Sequence, residues 1–261
     1  MGQYFADLHA GPESQLGSAP CAIPDSPEAA ALRGAETVEE LFALAKALNF
    51  QLRYREALTV YDRILALEPE NALAYRQRAP RFLNTLQPEK AIADLLKCRE
   101  LGGDEADLSY RLGIARYLSG DYPAAMAEEE ICCPLVDEEM AVAAMYWHTM
   151  SALRCGHDPT LLRHYRPGMA VGHHTAYEHV MALLSGNLPW SEMELLLQRE
   201  ESDLEYSILA YGSVLWLRSS GEEDAAEALL RSILPRDSFW ISYAFIAAWN
   251  DCFDNKNAGG R

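Results

Sequence analysis

From Thr37 onward, apolar residues return every three or four positions, the spacing that places them on one face of a helix. Leu41, Leu44, Ala45 and Leu48 form one such stripe, and Ala57, Tyr61 and Ile64 form the next. The first helix is predicted to begin at Thr37, because TVEE makes a capping box with Glu40 three residues on. The second is predicted to start near Tyr54 and to stop at Glu68-Pro69, since a residue before proline avoids the helical region. No convincing alternating strand pattern appears. Short loops marked by glycine interrupt the helical pattern at LSGDYP, RCGHDP, LSGNLP and RSSGEED.

These loops are spaced. Gly120, Gly156, Gly186 and Gly221 lie 36, 30 and 35 residues apart. Ala57, Ala91 and Ala125 recur at 34, and Ala226 continues the series. A helix–turn–helix unit of this length cannot bury its apolar face alone, so neighbours stack, and a small residue lets two helices approach closely. The first unit carries Leu44, Ala45, Ala57, Tyr61 and Pro69; the second Tyr75, Ala79, Phe82, Ala91 and Leu95; the third Leu112, Gly113, Gly120, Asp121, Tyr122 and Ala125. On these residues the chain resembles the tetratricopeptide repeat (TPR) family. It departs from the family pattern at Arg78, Arg116 and Glu129, where apolar residues are expected. The resemblance covers about residues 38–250, with degenerate units after 140 and a clear sixth unit at 207–235. Pro80 falls inside the first helix of unit two, which predicts a kink there or a helix that starts near Pro80.

The resemblance implies an all-α fold, an α-solenoid of about six TPR-like hairpins with a closing C-terminal helix. It also implies a concave groove, lined by the first helix of each hairpin, that takes an extended peptide or a partner helix. Phe42, Lys46, Asn49, Arg76, Leu83, Asn84, Tyr110, Ile114 and Tyr117 fall at the lining positions. One TPR subclass grips chaperone-tail carboxylates with a basic clamp. Lys46, Gln77 and Arg111 stand at comparable places, but Phe42 and Asp107 replace two of its lysines, which argues against that clamp. Residues 72–116 nevertheless hold eight Lys or Arg against six acids. The expected ligand is an acidic or carboxylate-ended peptide held by Arg76, Arg111 and Lys46 and stacked on Phe42 or Tyr110.

Residues 1–36 are rich in Gly, Pro and Ser and read as a flexible N-terminal arm. A short helix is predicted inside it, capped by Ser26, with Pro27 at its first position and Gly34 as its stop. Residues 37–250 form the TPR-like domain, and 251–261 read as a polar tail. The segment SFWISYAFIAAWNDCF is apolar on most sides. It reads as burial against unit six, or as a surface for self-association or for docking of the arm.

Charge and composition narrow the function. Thirty-nine acids against 22 Lys plus Arg give a net charge of −17 over 261 residues, which argues against nucleic-acid binding. No apolar run is long enough to span a membrane, so no membrane partner is expected. The first residues show no secretory signal, so the six cysteines read as reduced thiols of a cytoplasmic protein. Cys132-Cys133 reads as a small buried apolar pair at a helix end, not a reactive one, because the neighbouring acids raise a thiol pKa.

Six of the seven histidines lie between His148 and His179, beside Arg154, Arg163 and Arg166. Their spacing fits neither one helix face nor a zinc-protease motif, so no metal and no cofactor are expected. An anion-binding basic patch stays open as an alternative. Ten acids within 191–230 read as a solvated face. No nucleophile–base arrangement stands out. The reading is a non-catalytic protein- or peptide-binding adaptor. The alternatives are a regulatory sensor, whose superhelix responds to a small peptide or anion, and an enzyme with a His-based site near 148–179.

Overall fold

The computed structural model describes residues 25–258, the last five by their backbone alone. All regular structure among these residues is helical. Contacts divide the chain into two compact units, with the division between Leu108 and Ser109.

The first unit opens with α1 (Pro27–Ala31), whose Ser26 Oγ accepts the Ala29 N–H at 3.1 Å. α2 (Val38–Phe50) starts on the expected capping box: Glu40 N–H donates to Thr37 Oγ1 at 3.3 Å, and Thr37 N–H to Glu40 Oε2 at 3.0 Å. Those N–H groups hold the Glu40 carboxyl below its ordinary range. α3 (Tyr54–Leu67), α4 (Ala72–Leu83) and α5 (Pro88–Glu100) follow, each packed on its predecessor. Leu41, Leu44, Ala45, Leu48, Ala57 and Ile64 form the core at almost no exposure, so the predicted stripes are the buried ones. Ala91 is fully buried where α4 and α5 meet. Pro80 does not start a helix. α4 runs through it, and a proline in the last turn leaves only one early carbonyl without its usual partner.

The arm prediction changes here. Residues 1–24 lie outside the described residues, but 25–36 are part of the fold. Ala29 and Ala35 join the first-unit core. Asp25 pairs with both Arg33 and Arg53, and Arg33 reaches Glu56 at 2.9 Å. Two arginines against one carboxylate hold Asp25 down at about 2.

Two backbone positions reveal the repeat. Leu52 and Leu86 adopt φ of +57° and +54°, and Gly120, a further 34 residues on, adopts +83°. Each sits in the turn between the two helices of a hairpin. The turn geometry demands the left-handed region, and in the first two repeats a leucine pays its steric cost of about 1–2 kcal/mol.

α6 (Glu105–Ser119) carries the chain into the second unit, followed by α7 (Tyr122–Cys132), α8 (Glu138–Cys155), α9 (Thr175–Leu184), α10 (Trp190–Arg199), α11 (Asp203–Ser219), α12 (Glu223–Ile233) and α13 (Tyr243–Ala258). Five hairpins have both helices; the fourth has α8 followed by a 3-10 turn at Thr160–His164. That missing helix is why the pattern fades after residue 140. α8 and α11 are buried nearly all round, and α9, α12 and α13 pack on α11. A helix with no solvent face carries no amphipathic stripe to read.

α13 runs past residue 250, so the expected polar tail starts too early. Asp251 is buried and ion-paired with Arg154 and Arg218. Trp240, Phe245 and Ile246 are buried, whereas Phe239 and Phe253 stay exposed, each at 39%. Phe239 precedes the helix.

Candidate functional site

In the first unit, Tyr61 gathers two of the expected groove residues, Phe42 and Asn49, together with Gln77. Its ring meets Phe42 edge-on, with centroids 6.4 Å apart. Its hydroxyl accepts from Asn49 Nδ2 at 3.1 Å and donates to Gln77 Oε1 at 3.2 Å. Phe42 is half-buried and Lys46 exposed, so both present surface. Arg76 is already engaged: Nε and Nη2 donate to the two Asp107 oxygens at 2.7 and 2.8 Å. Any ligand carboxylate competes with Asp107 for that fork. Leu83 and Asn84 are each 3% exposed and offer a ligand no surface. They lie on the face that α4 packs inward, a direction the one-dimensional pattern leaves ambiguous.

In the second unit, Tyr110 and Arg111 are half-buried, while Ile114 and Tyr117 are buried. The groove role assigned to the last two is therefore taken by packing. Desolvation, followed by Tyr177, pushes the Tyr110 hydroxyl well above the usual phenol range. Tyr117 stacks edge-on against Tyr122, Trp147 and Tyr211, and its hydroxyl bonds to that of Tyr211 at 2.6 Å.

That hydroxyl pair belongs to a polar network that the sequence does not announce. Tyr211 donates to Asp251 Oδ2 at 3.4 Å, and the same oxygen accepts from Arg154 Nη1 at 2.5 Å and Arg218 Nη1 at 3.3 Å. Arg154 lies over the Tyr122 ring, 5.1 Å from its centroid. Tyr117, Tyr122, Arg154, Tyr211 and Asp251 line a cavity of about 210 Å³, shared with Asn250, Ala247 and the backbone around Gly120. The residues come from positions 117–122, 154, 211 and 247–251, so no local motif signals the site. The one hint is that Arg154 stands near the end of a helix otherwise rich in apolar residues.

The histidine window disperses. Arg163 pairs with Asp158 and Arg166 with Glu138, so the three arginines do not form one patch. His148 is fully buried, and desolvation lowers its pKa. Its Nε2 faces both Glu130 Oε1 at 3.3 Å and Thr160 Oγ1 at 3.2 Å, while Thr160 donates to Glu130 at 3.0 Å. A catalytic triad needs the carboxylate on the other ring nitrogen, and His148 Nδ1 has no partner. His174 Nδ1 lies 2.5 Å from the Glu139 carbonyl, which only accepts, so that nitrogen carries the proton. Among the described residues no three His, Cys, Asp or Glu side chains converge to hold a metal ion. Cys132 is buried, and burial followed by Glu129 raises the Cys133 thiol, opposite to a reactive thiolate.

Glu129, on α7, is wholly buried, and neither carboxyl oxygen has a hydrogen-bond partner. It fits only because its neighbour on α6 is Gly113: a Cβ there would fall inside the carboxyl group. Desolvation, with Glu128 second, pushes its pKa well above the ordinary carboxylate range.

Successive helical hairpins with a 34-residue step define a helical-repeat protein, and the repeat is of the tetratricopeptide type. No family model matches the chain. It is similar to Hsc70-interacting protein 1 of Drosophila melanogaster, 34% identical over 105 residues, covering 40% of this chain and 28% of the relative. It is 30% identical over 102 residues to tetratricopeptide repeat protein 28 of Mus musculus, covering 39% of this chain and 4% of that one. It is 25% identical over 115 residues to DnaJ homolog subfamily C member 3 of Gallus gallus, covering 44% and 23%. The chain thus spans under a third of the length of these relatives. Its fold is an all-helical series of tetratricopeptide-like hairpins. No described helix is long and apolar enough to cross a membrane.

Proposed function

We propose that the chain is a non-catalytic adaptor that binds a protein partner and acts in the cytoplasm. The observation that carries this reading is the Tyr61 cluster. It holds Phe42 and Asn49 in place on the first hairpin, beside an exposed Lys46. An aromatic ring supplies apolar contact area, and Asn and Lys supply hydrogen bonds to a partner's backbone or carboxylate. The relatives' names support a chaperone-class partner, Hsc70 among them. The binding surface on the first unit consists of Phe42, Lys46 and Asn49. Arg76 contributes only if it leaves Asp107.

Calorimetric titration of the full chain with purified Hsc70 tests this. Saturable binding is expected, weakened at least tenfold, about 1.4 kcal/mol, by Phe42→Ala with Lys46→Glu. Binding that the double variant leaves unchanged overturns the role of the first hairpin. No binding overturns Hsc70 as the partner.

A further inference from the structure

The cavity around Arg154 is lined by one arginine and one carboxylate, Arg154 and Asp251. Asp251 is shared with Arg218, which stands outside the cavity lining and also pairs with Glu223 at 3.9 Å, so the Arg154 guanidinium is not the sole cation that Asp251 neutralises. The Arg154 guanidinium is held on two sides, by the Tyr122 ring beneath it and by Asp251 at Nη1. Its Nε and Nη2 have no acceptor among the described residues, and the side chain stays 24% exposed on the cavity wall. A guanidinium with one edge used and another open is a preorganised fork for a carboxylate. The Tyr117 and Tyr211 hydroxyls are occupied with each other and with Asp251, so they add ring surface more than free donors. Asn250 also lines the cavity.

Size narrows the occupant. About 210 Å³ is room for roughly seven waters at ~30 Å³ each. Sites for whole small molecules run to about 300–1,000 Å³. The space suits one side chain with its carboxylate. Repulsion from the distant acidic surface is screened beyond about 8 Å at physiological salt, whereas the guanidinium in a concave site is not.

We infer that this cavity is an anchor for a single carboxylate-bearing residue of a partner polypeptide, either a C-terminal residue or an internal Asp or Glu, bound by the open edge of Arg154. The identity of the occupant as a polypeptide rests on the adaptor reading; the carboxylate chemistry does not. Arg154 serves as the ligand fork, and Asp251 and Tyr122 serve as its positioning groups.

The test uses the full chain and three probes: the peptide acetyl-Gly-Ser-Gly-Leu with a free C-terminus, the same peptide amidated, and the amidated peptide with an internal Glu. The readouts are calorimetry and the Nε–Hε resonance of Arg154. The free-acid or the Glu peptide should bind and shift that resonance, the member that does so identifying the carboxylate source, and the fully neutral peptide should not. Arg154→Gln and, separately, Asn250→Asp should each weaken binding at least tenfold. Asn250→Asp keeps the Arg154–Asp251 pair, so it carries the test if Arg154→Gln fails to fold. Equal binding of all three peptides, no binding of either carboxylate peptide, or binding that both variants leave unchanged overturns the inference. Carboxylate binding at Arg154 without any Hsc70 binding leaves the anchor standing and the Hsc70 reading refuted. The reverse result refutes the anchor alone.

Discussion

Arg78 donates to both oxygens of Asp94, from Nε and Nη2 at 2.7 Å each, and reaches Asp62 with Nη1 at 2.6 Å. One side chain on α4 thereby ties α3 to α5 at a position where the repeat pattern expects an apolar residue. Asp94 is nearly buried, and desolvation outweighs the arginine enough to raise its pKa.

Removing only the cation should be costly. Arg78→Leu leaves Asp94 buried without its partner and is expected to destabilise the fold by about 3–5 kcal/mol. Arg78→Leu with Asp94→Leu should recover most of that loss. Urea denaturation of the two variants checks it; equal stability of the single and double variants would show that the pair is not coupled.

Stability should carry a pH signature from Glu129. Its native pKa lies well above the 4.5 of an ordinary glutamate, so the native state holds this proton where the unfolded chain has released it. Its favourable contribution is complete below about 4.5 and is lost as pH rises toward the native pKa. Glu129→Gln mimics the protonated form. Its stability relative to the parent should therefore rise from pH 5 to pH 8. A difference that stays flat across that range would show that Glu129 is ionised in the native state.

The same carboxyl makes Gly113 intolerant of a side chain. Gly113→Ala should destabilise by about 1–3 kcal/mol, because the new methyl overlaps Glu129. Gly113→Ala in a Glu129→Ala background should cost much less. Additive losses in that double-mutant cycle would place the strain elsewhere.

Leu86 offers a backbone test of the repeat register. Glycine is normally less stable than alanine within regular structure by about 0.5–1 kcal/mol. At φ +54° the order should reverse, with Leu86→Gly more stable than Leu86→Ala by about 1 kcal/mol. Thermal melts of the two variants decide it.

Docking of α1 should fail in acid. Asp25 is held near 2 by Arg33 and Arg53, so its contribution is present above its unfolded pKa, near 3.8, and is lost as pH falls toward 2. Asp25→Asn should speed amide exchange across residues 27–35 at neutral pH while leaving α2 to α5 protected. Unchanged exchange would show that the burial of Ala29 and Ala35 suffices.

The helical class, the hairpin step and the first-unit core were determined by the sequence itself. Capping boxes, apolar stripes and close-approach alanines act within a few residues or one repeat, so a one-dimensional pattern carries them. The 34-residue turn register was legible at Gly120 but hidden at Leu52 and Leu86, where leucine takes the left-handed conformation that glycine normally marks. Only the tertiary structure decided which of the expected lining positions keep exposed surface. Phe42 and Lys46 do, whereas Leu83, Ile114 and Tyr117 are taken into packing, because a helix stacked on two neighbours buries more than one stripe. It also decided the partners of the charged residues. Arg76 meets Asp107, and Arg154 meets Asp251, 97 positions away. Such pairs form where the chain folds back on itself, and their energy depends on distance and burial in space, which no spacing along the sequence records.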